Sequence, residues 1–301
     1  MEMDTTQVAV SSAERWPEGW PGAALDALIE RALAEDIGQG DVTTAACLPA
    51  GLRARALIVA KQAGVVAGLP VAARIFGQMS PEVQWRALKE DGETVSDPPS
   101  RLAEVWGPAA AILTGERVAL NLLQRLSGVA TMTRTAAQLA AGRAEILDTR
   151  KTTPGLRWLE KYAVRVGGGR NHRFGLSDGV LIKDNHATAA GGVAAAIRAA
   201  RAHAPFGLRI EAECRTQQEV AEALSAGADI ILLDNMAPQE LRTAVTLVAG
   251  RVRTEASGGV NLGNLAAVAA TGVDSISLGA LTHSAPAVDI SLEIEWTGAA
   301  G

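Results

Sequence analysis

Apolar and polar positions divide the chain into two patterns. From Ala23, ALDALIERALAED places apolar residues at helical spacing and stops at the glycine-rich IGQGD, which predicts a helix. LRARALIVAKQAGVVAGLP is rich in β-branched residues and predicts strand, turn at Gly64, strand. DGETVSDPPS is turn-rich, and RLAEVWGPAAAIL leads into one long helix through GERVALNLLQRLSGVATMTRTAAQLAAG. Asp41, before VTTAA, has the position of an N-cap or turn aspartate. The first part is thus mixed α and β. Ahead of it, residues 1–22 are polar and carry WPEGWPG. They are expected to form a loose arm, with Trp16 and Trp20 pinning it to the surface.

After Gly142 short apolar runs alternate with alanine-rich helical segments. The runs AEILD, YAVRV, GVLIK, LRIEAE, DIILLD, VRTEAS and DSISLG predict seven strands. VAAAIRAARAHA, QQEVAEALSAG, PQELRTAVTLVAG and NLAAVAATG predict helices between them. Such alternation implies right-handed crossovers and a parallel sheet. No dinucleotide fingerprint follows the first strand, so a closed seven-stranded parallel α/β barrel fits better than an open doubly wound sheet.

Length and charge sharpen this. The 301 residues and net charge of −5 fit one large domain or two modest ones, and argue against a general nucleic-acid binder. Any anion site must be a local cluster. Cys47 and Cys214 lie in no metal or redox spacing and read as two reduced thiols. MEMDTTQVAV lacks the cations and apolar block of a signal peptide, and no stretch approaches a charge-free membrane span. The expectation is a soluble, cytoplasmic protein.

Nearly every candidate strand ends in a polar residue or glycine, and in α/β barrels the active site forms at those ends. The first strand runs into Asp148, Arg150 and Lys151; the second into Gly167–Gly169, followed by His172 and Arg173; the third into Lys183. The fourth carries Glu211 and Glu213, the fifth ends at Asp234, the sixth carries Glu255 and Ser257, and the seventh ends at Ser277 and Gly279. Arg150, Lys151, His172, Arg173 and Lys183 would repel one another unless an anion sat between them or each paired with an acid such as Asp148, Asp178 or Asp184. Arg157, Lys161, Arg165 and Arg170 read as solvated charges, with Arg157 undecided. Glu213 and Asp234 suit acid–base work, a metal, or sugar hydroxyls. No metal motif accompanies them, which favours a magnesium ion delivered with a phosphorylated substrate. Ser257, Gly258 and Gly259, with Gly279 and Ala280, offer backbone N–H groups where barrels often cradle a phosphate. The set describes a polyanion at one end and a phosphorylated sugar at the other.

DTRKTTPGLR, EKYAVRVGGGRNHRFGLSDGVLIKDNH, ILLDNM, EASGGV and GALTHSAPAVDISLEI resemble the signature blocks of the decarboxylating quinolinate phosphoribosyltransferase family, as do EDIGQGDVTT, GVVAGLPVA and GERVALNLLQRLSGVAT. The resemblance spans roughly Ala23 to Trp296. It implies an N-terminal α/β sandwich domain over 23–127 joined by the tail 285–301, and a barrel domain over 128–284. It implies conversion of quinolinate and phosphoribosyl pyrophosphate to nicotinate mononucleotide, pyrophosphate and carbon dioxide in NAD biosynthesis. It also implies a homodimer with shared active sites. Carried over by motif, Thr149, Arg150, Lys151, His172, Arg173 and Lys183 bind quinolinate, with Arg117 reaching in from the partner chain. Glu213 and Asp234 hold the ribose hydroxyls and magnesium, while Ser257, Gly258, Gly259, Gly279 and Ala280 bind the 5′-phosphate. Lys151, Lys183, Glu213 and Asp234 are the expected catalytic residues. IEAEC offers two acids on one face, and Glu213 is preferred to Glu211 as nearer the strand end. The glycines are expected to let the backbone approach the dianion.

Two rivals share parts of this pattern. A paralogous transferase of the same fold, of the molybdenum-locus kind, would keep RKT and the phosphate loops but need not keep every cation. A non-catalytic barrel binding an anionic metabolite would show binding without turnover.

Overall fold

The computed structural model describes residues 22–296, so Trp16, Trp20 and the arm expected ahead of Gly22 lie outside the described residues. Two compact units emerge. Of the described residues, one holds 22–127 with 287–296, and the other holds Gly128–Pro286.

In the first unit α1 (Gly22–Ile37) buries Leu25, Ile29 and Leu33, the i, i+4, i+8 stripe of an amphipathic helix. Asp41 caps α2 (Val42–Cys47), accepting the Thr44 N–H at 2.9 Å and the Thr44 hydroxyl at 2.5 Å. There follow β1 (Arg53–Ala60), β2 (Gly64–Val65), α3 (Leu69–Met79), β3 (Gln84–Ala87), β4 (Thr94–Val95) and β5 (Ser100–Pro108). Gly64 is not the turn of a hairpin: it lies within β2, which pairs with β4 rather than β1. The strand Ile290–Glu295 returns to this unit and completes an antiparallel sheet beside β1, whose other neighbour is β5, with β3 at the far edge. The long helix is α4 (Ala109–Ala140).

The second unit contains β6 (Glu145–Leu147), α5 (Arg157–Val166), β7 (Val180–Ile182), α6 (Asp184–Ala190), α7 (Val193–His203), β8 (Ile210–Cys214), α8 (Gln217–Ala226), β9 (Ile230–Asp234), α9 (Pro238–Val248), β10 (Arg253–Ser257), α10 (Leu265–Ala269), β11 (Ser275–Ser277) and α11 (Ala280–His283). Its six strands form one parallel sheet in the order β6-β11-β10-β9-β8-β7. Six of the seven expected strands are present. The exception is YAVRV, which belongs to helix α5: the run continues RWLEK without a break, and Leu159 with Ala163 and Glu160 with Val164 are buried at helical spacing. A shorter extended piece takes the remaining place, where Arg170 bridges Leu147 in parallel. Buried Ile146, Ile210, Ala212, Ile231, Leu233, Ala256 and Ile276 carry the apolar side of the sheet.

Candidate active site

The carboxyl end of β6 is tied down before any functional side chain is considered. Asp148 is fully buried and forms an ion pair with Lys161 of α5, itself only 2% exposed. Asp148 also accepts from Asn171 Nδ2 at 2.6 Å and from the His172 N–H at 2.8 Å, while Lys161 Nζ donates to the His172 carbonyl at 3.1 Å. Lys161 is therefore no solvated charge, contrary to the sequence reading; it fixes the two segments that carry the candidate cations. Arg157 is also engaged, donating to Thr152 Oγ1 and to the carbonyls of Phe174 and Arg150. Arg170 pairs with Glu145 at 2.8 Å. Thr149 Oγ1 accepts the Lys151 N–H at 3.0 Å, and the Lys151 carbonyl accepts from Thr282 Oγ1 at 2.7 Å.

Among the described residues, Arg150, Lys151, Arg173 and Lys183 have no carboxylate within ion-pair distance, although Asp148, Asp178 and Asp184 lie close in sequence. Asp148 is taken by Lys161, Asp178 accepts the Gly175 N–H at 2.6 Å, and Asp184 pairs with Arg215. Arg173 donates through Nη1 to the Gly179 carbonyl at 3.1 Å, but its buried Nε has no partner. Burial, and then the nearby charge of Arg150, lowers its pKa. Like charges beside an unmet donor are the signature of a site that needs an anion.

His172 differs from the other cations. Its Nε2 lies 3.0 Å from Glu211 and 3.6 Å from Glu255. Its Nδ1 accepts the Arg173 N–H at 2.7 Å, which puts the ring proton on Nε2, toward Glu211. Burial opposes a charged imidazole, but the Glu211 hydrogen bond and the two carboxylate charges outweigh it and raise the pKa. Ligand atoms of His172, Glu211 and Glu255 lie within 4.8 Å of one another, as in a metal site. A retained proton relieves the same crowding: burial and then the Glu211 charge push Glu255 up to about 7.

Glu213 and Asp234 come from the adjacent strands β8 and β9 and share a partner that the sequence reading did not single out. Arg215 lies 3.3 Å from Glu213, 3.2 Å from Asp234 and 2.9 Å from Asp184. Burial and then the Asp234 charge raise the pKa of Glu213. Two hard oxygen donors that repel each other and already face one cation fit a magnesium ion. The two acids of β8 thus divide their work, Glu211 facing His172 and Glu213 facing Asp234 through Arg215.

The last two strands supply a small-residue rim. Gly258 and Gly259 both have positive φ, at 80° and 62°. A Cβ at Gly258 would come within 2.5 Å of Asn235 Oδ1 and 2.7 Å of Asp234 Oδ1, so a side chain there would be strained by the positive φ and would push both groups aside. Ser257 and Ser277 share a hydroxyl hydrogen bond at 2.9 Å. At Gly279, which precedes Ala280 at the start of α11, a Cβ would meet Lys151 Cδ at 2.8 Å, placing that lysine's stem directly over the glycine. Gly167 and Gly169 have a packing reason that the strand-end reading did not include. Added Cβ atoms there would strike Ala130 O at 2.5 Å and Thr133 Cγ2 at 2.8 Å respectively, so these glycines let the chain pack against α4. Arg117 is exposed on α4, within the first unit.

Comparison with known proteins identifies the family. The family model for the quinolinate phosphoribosyl transferase C-terminal domain matches residues 129–293, and that for its N-terminal domain matches residues 41–127. A probable nicotinate-nucleotide pyrophosphorylase [carboxylating] of Bacillus subtilis is 48% identical, covering 90% of this chain and 93% of its own. The human nicotinate-nucleotide pyrophosphorylase [carboxylating] is 44% identical over 91% of this chain and 93% of its own. The crystal structure of NadC from Streptococcus pyogenes superposes with a TM-score of 0.89 at 41% identity, covering 94% of this chain and all of that one. The chain belongs to the quinolinate phosphoribosyl transferase family.

Proposed function

We propose that the chain transfers the phosphoribosyl group of phosphoribosyl pyrophosphate to quinolinate, yielding nicotinate mononucleotide, pyrophosphate and carbon dioxide, a pentosyl transfer of de novo NAD biosynthesis. The observation that carries this reading is the group of four cations, Arg150, Lys151, Arg173 and Lys183, that have no carboxylate partner among the described residues, on the same ends of the sheet as the paired acids Glu213 and Asp234. Arg150, Lys151, Arg173 and Lys183 receive the two carboxylates of quinolinate, with Thr149 and His172 completing its surround.

Glu213 and Asp234 hold the ribose hydroxyls and the magnesium ion that accompanies the diphosphate, whose chemistry is to offset the charge of the leaving group. As the C1′–O bond to pyrophosphate breaks, the same carboxylates stabilise the cationic sugar. The pyridine nitrogen bonds to C1′ and becomes positively charged. The bond from C2 to its carboxylate then breaks, its electron pair remains at C2 beside the cationic nitrogen, carbon dioxide leaves, and a proton takes its place. No covalent enzyme intermediate is required, so Lys151 and Lys183 act as charges rather than nucleophiles. Ser257, Gly258, Gly259, Gly279 and Ala280 hold the 5′-phosphate through backbone N–H groups. The working form is a homodimer in which Arg117 of each chain serves its partner's site, and the location is cytoplasmic; no helix among the described residues is long and apolar enough to cross a membrane.

The test is turnover. The purified protein with quinolinate, phosphoribosyl pyrophosphate and magnesium should form nicotinate mononucleotide, and nicotinate should not replace quinolinate. Turnover of nicotinate alone would defeat the reading.

A further inference from the structure

Arg215 directly follows β8, two residues beyond Glu213, so strand alternation points Glu211, Glu213 and Arg215 to one side. Its guanidinium reaches Asp184 Oδ2 at 2.9 Å, Glu213 Oε1 at 3.3 Å and Asp234 Oδ2 at 3.2 Å. The side chain is 52% exposed, whereas those of Glu213 and Asp234 are only 10% and 13% exposed. The arginine therefore lies over the two acids from the solvent side. It satisfies oxygens that would otherwise face each other as like charges.

We propose that Arg215 is a tethered stand-in for the divalent cation of the sugar substrate: it neutralises Glu213 and Asp234 while the site is free of substrate, and it is displaced when the cation arrives with the diphosphate. This rests on the assignment of Glu213 and Asp234 given above. Three features make the guanidinium suited to the role. It carries a permanent charge, so its own protonation does not change in the physiological range. Its three ion pairs are solvent-exposed on its own side and individually weak, so they yield to a competitor of higher charge. Asp184, outside the acid pair, keeps one carboxylate within reach after displacement. The consequence is selective: free divalent cation competes poorly for the acids, whereas cation bound to a diphosphate brings additional ligands and binding contacts.

Binding of manganese ion alone to the substrate-free protein tests this. Wild type, Arg215→Gln and Arg215→Ala are titrated and free manganese is read by electron paramagnetic resonance. Circular dichroism checks the fold of each variant. Both substitutions should tighten manganese binding by roughly tenfold. Adding Asp234→Asn to Arg215→Gln should abolish the gain. Equal affinity in wild type and both single variants would overturn the proposal, as would binding that survives Asp234→Asn or binding in none of the proteins. Turnover of quinolinate by wild type, measured in parallel, decides the wider reading separately: turnover without a manganese effect removes only the role of Arg215.

Discussion

Lys161 and Asp148 meet in the interior of the second unit, the ammonium against the carboxylate, with side chains 3% and 0% exposed. Neither residue belongs to the substrate set proposed above. Together they fix the segment from Asn171 to Arg173 against the end of β6, because Asp148 also receives two donors from that segment and Lys161 donates to it. The positions of His172 and Arg173 thus depend on a buried ion pair behind them. Burial raises the pKa of Asp148 and lowers that of Lys161, so each ion relies on the other.

Removing one partner should be costly. Lys161→Met leaves an uncompensated buried carboxylate and is expected to destabilise the protein by about 3–5 kcal/mol. Urea unfolding followed by circular dichroism measures it. The double variant Lys161→Met with Asp148→Asn should recover part of that loss; a single variant as stable as wild type would show the pair to be dispensable.

The cluster of His172, Glu211 and Glu255 makes stability depend on pH. Glu255 has a carboxyl pKa raised from 4.5 to about 7 in the folded protein. Between those values the folded state holds the proton and the unfolded state has lost it, so this group makes stability fall as pH rises through that window. The raised pKa of His172 acts in the same direction, since its contribution is present below the unfolded value and is lost as pH rises through the folded one. Melting temperatures of wild type and Glu255→Gln across pH 4.5 to 7 check this; the variant should show the shallower decline.

Gly258 accepts a side chain only with backbone strain and a shift of Asn235 and Asp234. Gly258→Ala combines left-handed backbone strain of roughly 1–2 kcal/mol with a clash against Asn235 and Asp234. Its KM for phosphoribosyl pyrophosphate should rise while quinolinate binding stays near wild type. Gly77→Ala, in the interior of α3 with open space around the position, is the contrasting case and should be neutral or stabilising by about 0.5–1 kcal/mol. Steady-state kinetics and thermal melting distinguish the two.

The proposed shared-site dimer leads to a complementation test. Arg117→Ala and Lys183→Ala should each be inactive alone. Mixed dimers should regain one working site, formed by the intact Arg117 of one chain and the intact Lys183 of the other. No recovery after verified subunit exchange would count against an arginine supplied by the partner.

The sequence revealed the alternation of strands and helices and the polar strand ends, because both are local patterns. It misled at YAVRV, where alternating residues mimic a strand although the preceding RWLEK sets a helical face. It also misled at Lys161, because which side of α5 packs inward depends on Asp148, thirteen residues away in sequence and adjacent only after folding. Gly167 and Gly169 sit in a motif with the proposed substrate-binding cations, yet a side chain at either would strike Ala130 or Thr133 of α4. Arg215 left a legible signal, the alternation Glu211, Glu213, Arg215 along and just past β8, whose meaning required Asp234 from the neighbouring strand.

The most direct measurement is calorimetric binding of quinolinate to wild type and to Arg173→Ala. Arg173 carries the unmet buried donor beside Arg150. Losing its charge-assisted hydrogen bonds should weaken binding by roughly 30- to 100-fold. Wild-type affinity in Arg173→Ala would contradict the claim that these cations converge on the dianion.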